Sequence, residues 1–205
     1  MLPLSYTGGA LATNAYLIPN LEGTAYLCFD APEGLAAEIR SHGLKIEALV
    51  LTHGHHDHVW DAAAIARDHG CPVYLHSDDV ELVRRDNRYP KIEAITDLSV
   101  TRKGSIPWKA GGRSFLLFHI PGHSPGSVAF YELAENRLFG GDVIFADGIG
   151  RTNTPEAREE LLVGIGLHLL TLPEATEIYP GHGPATTLGA ERGNPSFEAI
   201  VLQGV

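Results

Sequence analysis

Seven consecutive residues hold the densest group of metal-ligating side chains in this sequence, Thr52-His53-Gly54-His55-His56-Asp57-His58. Imidazoles and carboxylates bind divalent cations, and so many within one short stretch are not typical of a solvated loop. His53 and His55 are two residues apart, so in an extended segment their side chains project to the same side. Asp57 and His58 come after the turn and can point to a second place. The stretch therefore predicts a metal site that holds either one ion or two.

Three further turns carry ligand-type residues, and each turn follows an apolar, strand-like segment. They contain His123, Asp142 and His182. In α/β folds, sites form where loops converge at the ends of strands. We therefore expect these three side chains to join the first group, which gives five imidazoles and two carboxylates in all.

This set of donors is large enough for two divalent cations. We assign them to one site of His53, His55 and His123, a second site of Asp57, His58 and His182, and a bridging Asp142. Two ions about 3.5 Å apart lower the pKa of a bridging water to about 7, so that hydroxide can attack a carbonyl or phosphoryl group. Asp57 and Asp142 are then the predicted catalytic carboxylates. Nitrogen and oxygen donors without thiolate suit Zn, Fe or Mn, and we expect Zn first.

Regular elements are predicted on both sides of the histidine stretch. The apolar run 46–51 predicts a strand that leads into it, and the periodicity of 59–69 predicts a helix after it. Helices are also predicted over 32–41 and 155–172, the second with leucines at core spacing. Residues 108–112 are predicted to form a turn. The alternation of strands and helices indicates an α/β architecture.

The composition limits the classes of protein and partner. The chain has 205 residues, of which 44% are hydrophobic, so we expect a single domain over 1–205 with a proper core. The net charge of −10, with scattered basic residues, argues against a nucleic-acid surface. Apolar runs are strand-sized, which predicts no membrane span, and no signal peptide is recognised. Cys28 and Cys71 form no C-x-x-C pair, so we expect thiols in a reducing cytoplasm.

Three other residues are candidates for supporting roles. Asp30 ends a predicted strand, where it can cap the following helix or orient a metal-bound imidazole. Arg151 lies in a glycine-containing loop after Asp142, where it can pair with a substrate carboxylate or serve the loop itself. Tyr179 precedes His182 and is a candidate partner of the site.

The motifs Thr-His-Gly-His-His-Asp-His, Pro-Gly-His-Ser-Pro-Gly-Ser, Gly-Gly-Asp and Pro-Gly-His-Gly resemble the metallo-β-lactamase superfamily over nearly the whole chain. The resemblance implies a four-layer αββα sandwich and the ligand assignment given above. Within the superfamily, residues 141–152 and 179–184 are similar to short, single-domain glyoxalase II-like hydrolases. That similarity implies hydrolysis of S-D-lactoylglutathione to D-lactate and glutathione, with a small-molecule thioester as partner.

Differences between this sequence and related families limit the activity that we expect. True β-lactamases of the related kind usually lack an Asp at the bridging position, so Asp142 argues against that activity. Long-form glyoxalase II has a C-terminal helical domain that contacts glutathione; we expect none here, which leaves the thiol carrier open. The related pattern often has Asp where Asn153 stands.

A second reaction class shares many of the same ligands. Persulfide dioxygenases resemble this family but bind a single Fe(II) through two His and one Asp. In this chain that site would consist of His53, His123 and Asp142. The intact second set of ligands favours the two-metal hydrolase.

Overall fold

Two six-stranded sheets dominate the computed structural model, which describes residues 2–102 and 104–194. The described residues group into two compact units. The first runs up to Ser99 and also includes Lys109–Arg113, and the second contains Val100–Trp108 and the chain from Ser114 onward.

The first sheet combines an antiparallel edge with a parallel centre. Its strands, in spatial order, are β1 (Leu4–Gly8), β2 (Thr13–Pro19), β3 (Tyr26–Phe29), β4 (Ile46–Val50), β5 (Val73–Leu75) and β6 (Thr96–Asp97). The pairs β1–β2 and β2–β3 are antiparallel, and those from β3 to β6 are parallel. Parallel neighbours need crossover connections, which is why helices follow β3, β4 and β5.

Four helices belong to the first unit, namely α1 (Leu35–Ser41), α2 (His56–Val59), α3 (Ala62–His69) and α4 (Ser77–Arg85). Leu35 and Ile39 of α1 and Ile65 of α3 are buried in one apolar core with the strand residues Leu49 and Val73. The histidine stretch lies in the segment between β4 and α3. The packing of these elements fixes both ends of that segment.

The helix predicted over 59–69 is in fact two helices, α2 and α3. The backbone N–H of Ala31 donates to the carbonyl of His58 at 2.7 Å, and that of Asp61 donates to the carbonyl of Ala31 at 2.9 Å. These bonds replace intrahelical ones at the junction. A contact with a segment nearly thirty residues away thus interrupts the helix, and periodicity does not reveal such a contact.

The second sheet is mostly antiparallel. Its strands, in spatial order, are β14 (Thr186–Thr187), β13 (Glu177–Pro180), β10 (Arg137–Gly141), β9 (Val128–Glu132), β8 (Arg113–His119) and β7 (Ser105–Ala110). The pair β10–β13 is parallel, and β11 (Ile144–Phe145) with β12 (Gly148–Ile149) forms a separate small hairpin. Helices α5 (Pro155–Gly164) and α6 (Leu188–Glu191) complete this part of the chain.

Two predictions in this part of the chain were wrong in detail. The helix predicted over 155–172 is α-helical only to Gly164 and continues as a π-helical segment, Ile165–Leu169. Gly164 lies so close to Ile120 that a Cβ would come within 2.7 Å of its side chain, and such a tight contact is a position where a regular helix adjusts. Trp108, predicted in a turn, lies in β7, where its ring packs against that of Phe115 with 5.6 Å between centroids.

Cys28 and Cys71 are both thiols, as predicted. Burial raises the pKa of the Cys28 thiol well above its ordinary value, and the nearby Asp30 carboxylate adds to the rise. Cys28 therefore stays protonated and inert at neutral pH. Among the described residues, we find no helix with the length and apolar character needed to cross a membrane.

Candidate metal centre

Three imidazoles of the histidine stretch form one cluster, two from the segment between β4 and α2 and one from α2 itself. The ring centroids of His53 and His55 lie 4.8 Å apart, and those of His53 and His58 lie 4.1 Å apart. His53 is 1% exposed and His58 is fully buried. Buried ring nitrogens need partners, because an unsatisfied polar atom in the interior is costly. The chemistry of the cluster therefore depends on which nitrogen of each ring the protein engages.

Asp30 orients this cluster from the end of β3. Its carboxylate accepts hydrogen bonds from the backbone N–H and the hydroxyl of Thr52, at 2.8 and 2.9 Å, and it lies 2.8 Å from Nδ1 of His58. An ionised carboxylate only accepts, so Nδ1 of His58 is the donor. The Thr52 hydroxyl has already given its single hydrogen to Asp30. Nδ1 of His53, which lies 3.1 Å from that hydroxyl, must therefore donate as well.

The two roles left open for Asp30 are distinguished by these contacts. Helix α1 begins after Gly34, which is its N-cap residue. Asp30 instead lies beside Thr52, because β3 and β4 run parallel with Phe29 opposite Val50. Its own backbone is left-handed, with φ 62°, a conformation that Asp tolerates better than most residues.

Two more buried side chains hold the histidine stretch, and neither was predicted from the sequence. The Thr13 hydroxyl donates to Oδ2 of Asp57 at 2.7 Å, and Oδ2 of Asp79 accepts the backbone N–H of Gly54 at 2.8 Å. Thr13 and Asp79 are both fully buried. A Cβ at position 54 would lie 2.9 Å from the carbonyl oxygen of Asp79, so the loop passes closely enough to require glycine.

In the second unit, a backbone carbonyl orients His123. Its Nδ1 lies 2.8 Å from the carbonyl oxygen of Arg151, which can only accept, so Nδ1 is again the donor. The loop that contains Gly150 can pass close to Asp142 and His123 because this residue has no side chain. A Cβ at Gly150 would lie 1.8 Å from the carbonyl oxygen of Asp142 and 3.1 Å from Cβ of His123.

Asp142 lies next to two imidazoles. Its Oδ2 is 3.2 Å from Nε2 of His123 and 3.4 Å from Nε2 of His182. The parallel pairing of β10 with β13 explains the proximity of Asp142 and His182, since Gly141 lies opposite Pro180, Asp142 follows β10 directly and His182 comes two residues after β13. The ring of Phe145 contacts that of His182 edge-on, with 6.0 Å between centroids.

The donor atoms of each unit fit a divalent cation. Imidazoles that donate through Nδ1 offer the Nε2 lone pair, which is the form in which histidine commonly ligates metals. Two ligand atoms about 2.1 Å from one tetrahedral ion lie about 3.4 Å apart. In the first unit, Nε2 of His58 lies 3.4 Å from Oδ2 of Asp57, and the distances around Asp142 in the second unit are similar.

The remaining predicted residues have other contacts. The Arg151 side chain is exposed, and the contact of this residue with His123 is made by its main chain. The Tyr179 hydroxyl donates to Glu177 at 2.9 Å, and its ring stacks on Phe139 with 5.5 Å between centroids. Burial and then the Glu177 carboxylate raise the pKa of Tyr179 to about 12, so it is protonated at neutral pH.

Comparison with known proteins decides the family. The metallo-β-lactamase superfamily model matches residues 8–182. The chain belongs to the metallo-β-lactamase superfamily. Members of this superfamily are metal-dependent hydrolases, and the predicted α/β fold class is confirmed.

Three similar proteins refine this result. Hydroxyacylglutathione hydrolase GloC of Haemophilus influenzae is 36% identical, over 80% of this chain and 81% of its own length. The crystal structure of the BLEG-1 B3 metallo-β-lactamase has a TM-score of 0.83 at 34% identity, over 96% of this chain and 100% of that one. The structure of TTHA1623 in a di-iron-bound form has a TM-score of 0.74 at 34% identity, over 93% of this chain and 98% of that one. The metallo-β-lactamase fold binds divalent metals, and one of these similar proteins is described in a di-iron-bound form.

Proposed function

We propose that this chain is a two-metal hydrolase that cleaves acyl thioesters of the S-D-lactoylglutathione type. The proposed ligands are those of the sequence analysis, with His53, His55 and His123 on one ion, Asp57, His58 and His182 on the other, and Asp142 on both. The observation that carries the proposal is the position of Asp142, whose Oδ2 lies 3.2 and 3.4 Å from imidazoles that we assign to different ions. A carboxylate in that position suits a bridging ligand.

The residues of the chain contribute orientation and charge to this reaction. Two ions held by these ligands would supply an activated water and would polarise the thioester carbonyl. Asp30 and the Arg151 carbonyl keep Nδ1 of His58 and His123 engaged, so each ring presents Nε2. We propose Asp57 and Asp142 as the catalytic carboxylates beside the reacting groups. Hydrolysis adds hydroxide to the acyl carbon, breaks the C–S bond and returns the proton to the thiol, so no oxidant is needed.

The substrate class is supported by similarity to a protein named hydroxyacylglutathione hydrolase. Glutathione itself remains one candidate carrier among small thiols. Zn is our first choice of metal, with Fe and Mn as alternatives, because the donors are imidazoles and carboxylates. We place the reaction in the cytoplasm, where the thiols of Cys28 and Cys71 would stay reduced.

β-Lactam hydrolysis is a second candidate. The similarity to the BLEG-1 B3 metallo-β-lactamase favours it, and the aspartate at position 142 argues against it. β-Lactam hydrolysis uses the same hydrolytic chemistry on an amide instead of a thioester. The persulfide dioxygenase reaction, the alternative from the sequence analysis, differs from both hydrolyses because it consumes oxygen.

The test is a substrate panel with protein loaded separately with Zn, Fe and Mn. We expect hydrolysis of S-D-lactoylglutathione that is lost on chelation, little turnover of a chromogenic cephalosporin, and no oxygen uptake with glutathione persulfide. Asp142→Ala should lose at least 100-fold in kcat/KM, a loss of about 3 kcal/mol in transition-state stabilisation. His56→Ala should retain activity, since His56 is not a proposed ligand.

Each arm of the panel has a result that contradicts the proposal. Oxygen uptake with a single bound iron would favour the dioxygenase, and faster cleavage of the cephalosporin would favour the lactamase. Full activity of Asp142→Ala would contradict the bridged two-metal site.

A further inference from the structure

The Thr13 side chain is fixed before any metal binds. Thr13 is the first residue of β2 and pairs with Gly8 of β1. The connection between these strands closes with the N–H of Ala12 donating to the carbonyl of Gly9 at 3.2 Å, with Ala12 in the left-handed region at φ 52°. Thr13 is fully buried, so its β-branched side chain has little rotational freedom. The Thr13 hydroxyl is therefore held at a fixed position on the first sheet.

This hydroxyl binds one particular oxygen of Asp57. The bond runs to Oδ2 at 2.7 Å, a length typical of a hydroxyl bound to a carboxylate. Oδ2 is also the oxygen that faces Nε2 of His58, at 3.4 Å. Since Asp30 engages the other nitrogen of His58, Nε2 is the atom available for a metal. The oxygen bound to Thr13 is thus the one placed to share an ion with His58.

Asp57 needs such an anchor because its own element is weak. Helix α2 has only four residues, His56–Val59, and the terminal torsion of an Asp side chain is broad. A carboxylate that can rotate loses entropy when it ligates, and its affinity for the metal falls accordingly.

We propose that Thr13 is a positioning residue for the second metal site, holding Oδ2 of Asp57 where that oxygen ligates. This inference rests on the proposed function, in which Asp57 and His58 bind the second ion. In this role Thr13 acts through Asp57, by its hydrogen bond to Oδ2. Its removal therefore weakens one of the two metal sites and leaves the site of His53, His55 and His123 unchanged.

The experiment compares Thr13→Val, which keeps the shape and removes the hydroxyl, with Thr13→Ser, which keeps the hydroxyl. Thr176→Val is the matched control, because Thr176 is also fully buried and its hydroxyl also donates to a side-chain oxygen, that of Asn136 at 2.8 Å. Thr176 precedes β13, whereas His182 follows that strand. Metal-free protein of each variant is titrated with Zn²⁺ against a chromophoric chelator, and circular dichroism of the metal-free protein reports folding.

We expect Thr13→Val to bind one of two ions about 10–100-fold more weakly, with Thr13→Ser and Thr176→Val close to wild type. Wild-type affinity for both ions in Thr13→Val would overturn the inference and leave the two-metal proposal standing. An equal loss in Thr176→Val would also overturn it, since the effect would then be general. Wild-type protein that binds one ion would contradict the proposed function itself, and this inference with it. If Thr13→Val does not fold, Thr13→Ala against Thr13→Ser gives the same comparison.

Discussion

The proton positions on His53, His58 and His123 follow from the partners of each ring. A hydroxyl that has already donated, a carboxylate and a backbone carbonyl can each only accept. All three rings therefore carry their proton on Nδ1 in the neutral state. At the scale of residues, this shared tautomer is the strongest preparation for metal binding, because it leaves Nε2 of each ring as a ligand atom.

Asp30→Asn tests this tautomer argument. If the amide oxygen of the substituted side chain continues to accept the N–H of Thr52, its NH₂ group replaces the oxygen that now faces Nδ1 of His58. Two donors would then meet, so the His58 proton would move to Nε2 and block ligation. We expect about 10–100-fold weaker binding of the ion assigned to His58 in a chelator competition, with the ion assigned to His53 also affected because the Thr52 hydroxyl loses its acceptor.

The control for this variant is Asp61→Asn. The Asp61 carboxylate also accepts a backbone N–H, that of Ala36 at 2.8 Å, and its substitution should leave metal affinity unchanged. Asparagine tolerates the left-handed backbone at position 30, so strain should not confuse the result. Unchanged affinity in Asp30→Asn would contradict the assigned tautomer.

Candidate ligands are easier to recognise in the sequence than the residues that support them. Histidines and aspartates in short Gly- and Pro-bounded turns have a recognisable chemical signature. A buried threonine in a strand, such as Thr13, looks like any other β-branched strand residue. The support of His123 by Arg151 is still less visible, because a backbone carbonyl has no residue type. Asp79 lies in the first turn of α4, and the sequence alone suggests for it only a role at the start of that helix.

At the scale of elements, the small hairpin of β11 and β12 brings the chain back past Asp142 and His123. Gly150→Ala should disturb both, because the added methyl would lie 1.8 Å from the Asp142 carbonyl oxygen, which is part of the backbone. We expect a loss of about 1–3 kcal/mol in the free energy of unfolding, and weaker metal binding as well. Denaturant unfolding of the metal-free variant, followed by metal titration, measures the two effects.

Gly148→Ala is the control, since position 148 lies in the same hairpin and a Cβ there would contact nothing within 4 Å. It should change unfolding free energy by less than about 0.5 kcal/mol. Equal behaviour of the two variants would mean that the close passage at Gly150 does not hold the ligands.

Elements were predicted well where local patterns determine them and less well where distant contacts do. The strand into the histidine stretch begins at Ile46 as predicted and ends at Val50, one residue before the end of its apolar run, whereas the following helix breaks where Ala31 bonds to its backbone. The start of α1 moves from Pro32 to Leu35, because Gly34 adopts φ 93° and caps the helix. Each difference arises from a backbone conformation or a hydrogen bond that side-chain periodicity does not report.

At the scale of the whole molecule, each compact unit has an apolar core of its own. The first core includes Leu49 and the second includes Leu138. The sequence does not indicate this division, because strands and helices alternate on both sides and no low-complexity linker intervenes. The single domain over 1–205 stays a prediction, while the superfamily and its fold are confirmed.

Metal removal should lower the stability of the whole molecule if the proposed ligands bind two ions. An ion that binds only the folded state adds about 4 kcal/mol when its free concentration is about 1,000 times Kd. For a chain of this size each kcal/mol shifts Tm by about 2–4 °C, so chelation should lower Tm by roughly 10 °C per ion. Differential scanning calorimetry of metal-free protein, before and after addition of Zn²⁺, measures the shift.

Two variants serve as controls for this increase in Tm on addition of Zn²⁺. Asp142→Ala should show a much smaller increase than wild type, because the substitution removes a proposed ligand of both ions, while His56→Ala should show the full increase. A Tm that does not respond to metal in the wild type would mean that these side chains do not bind ions in the folded protein.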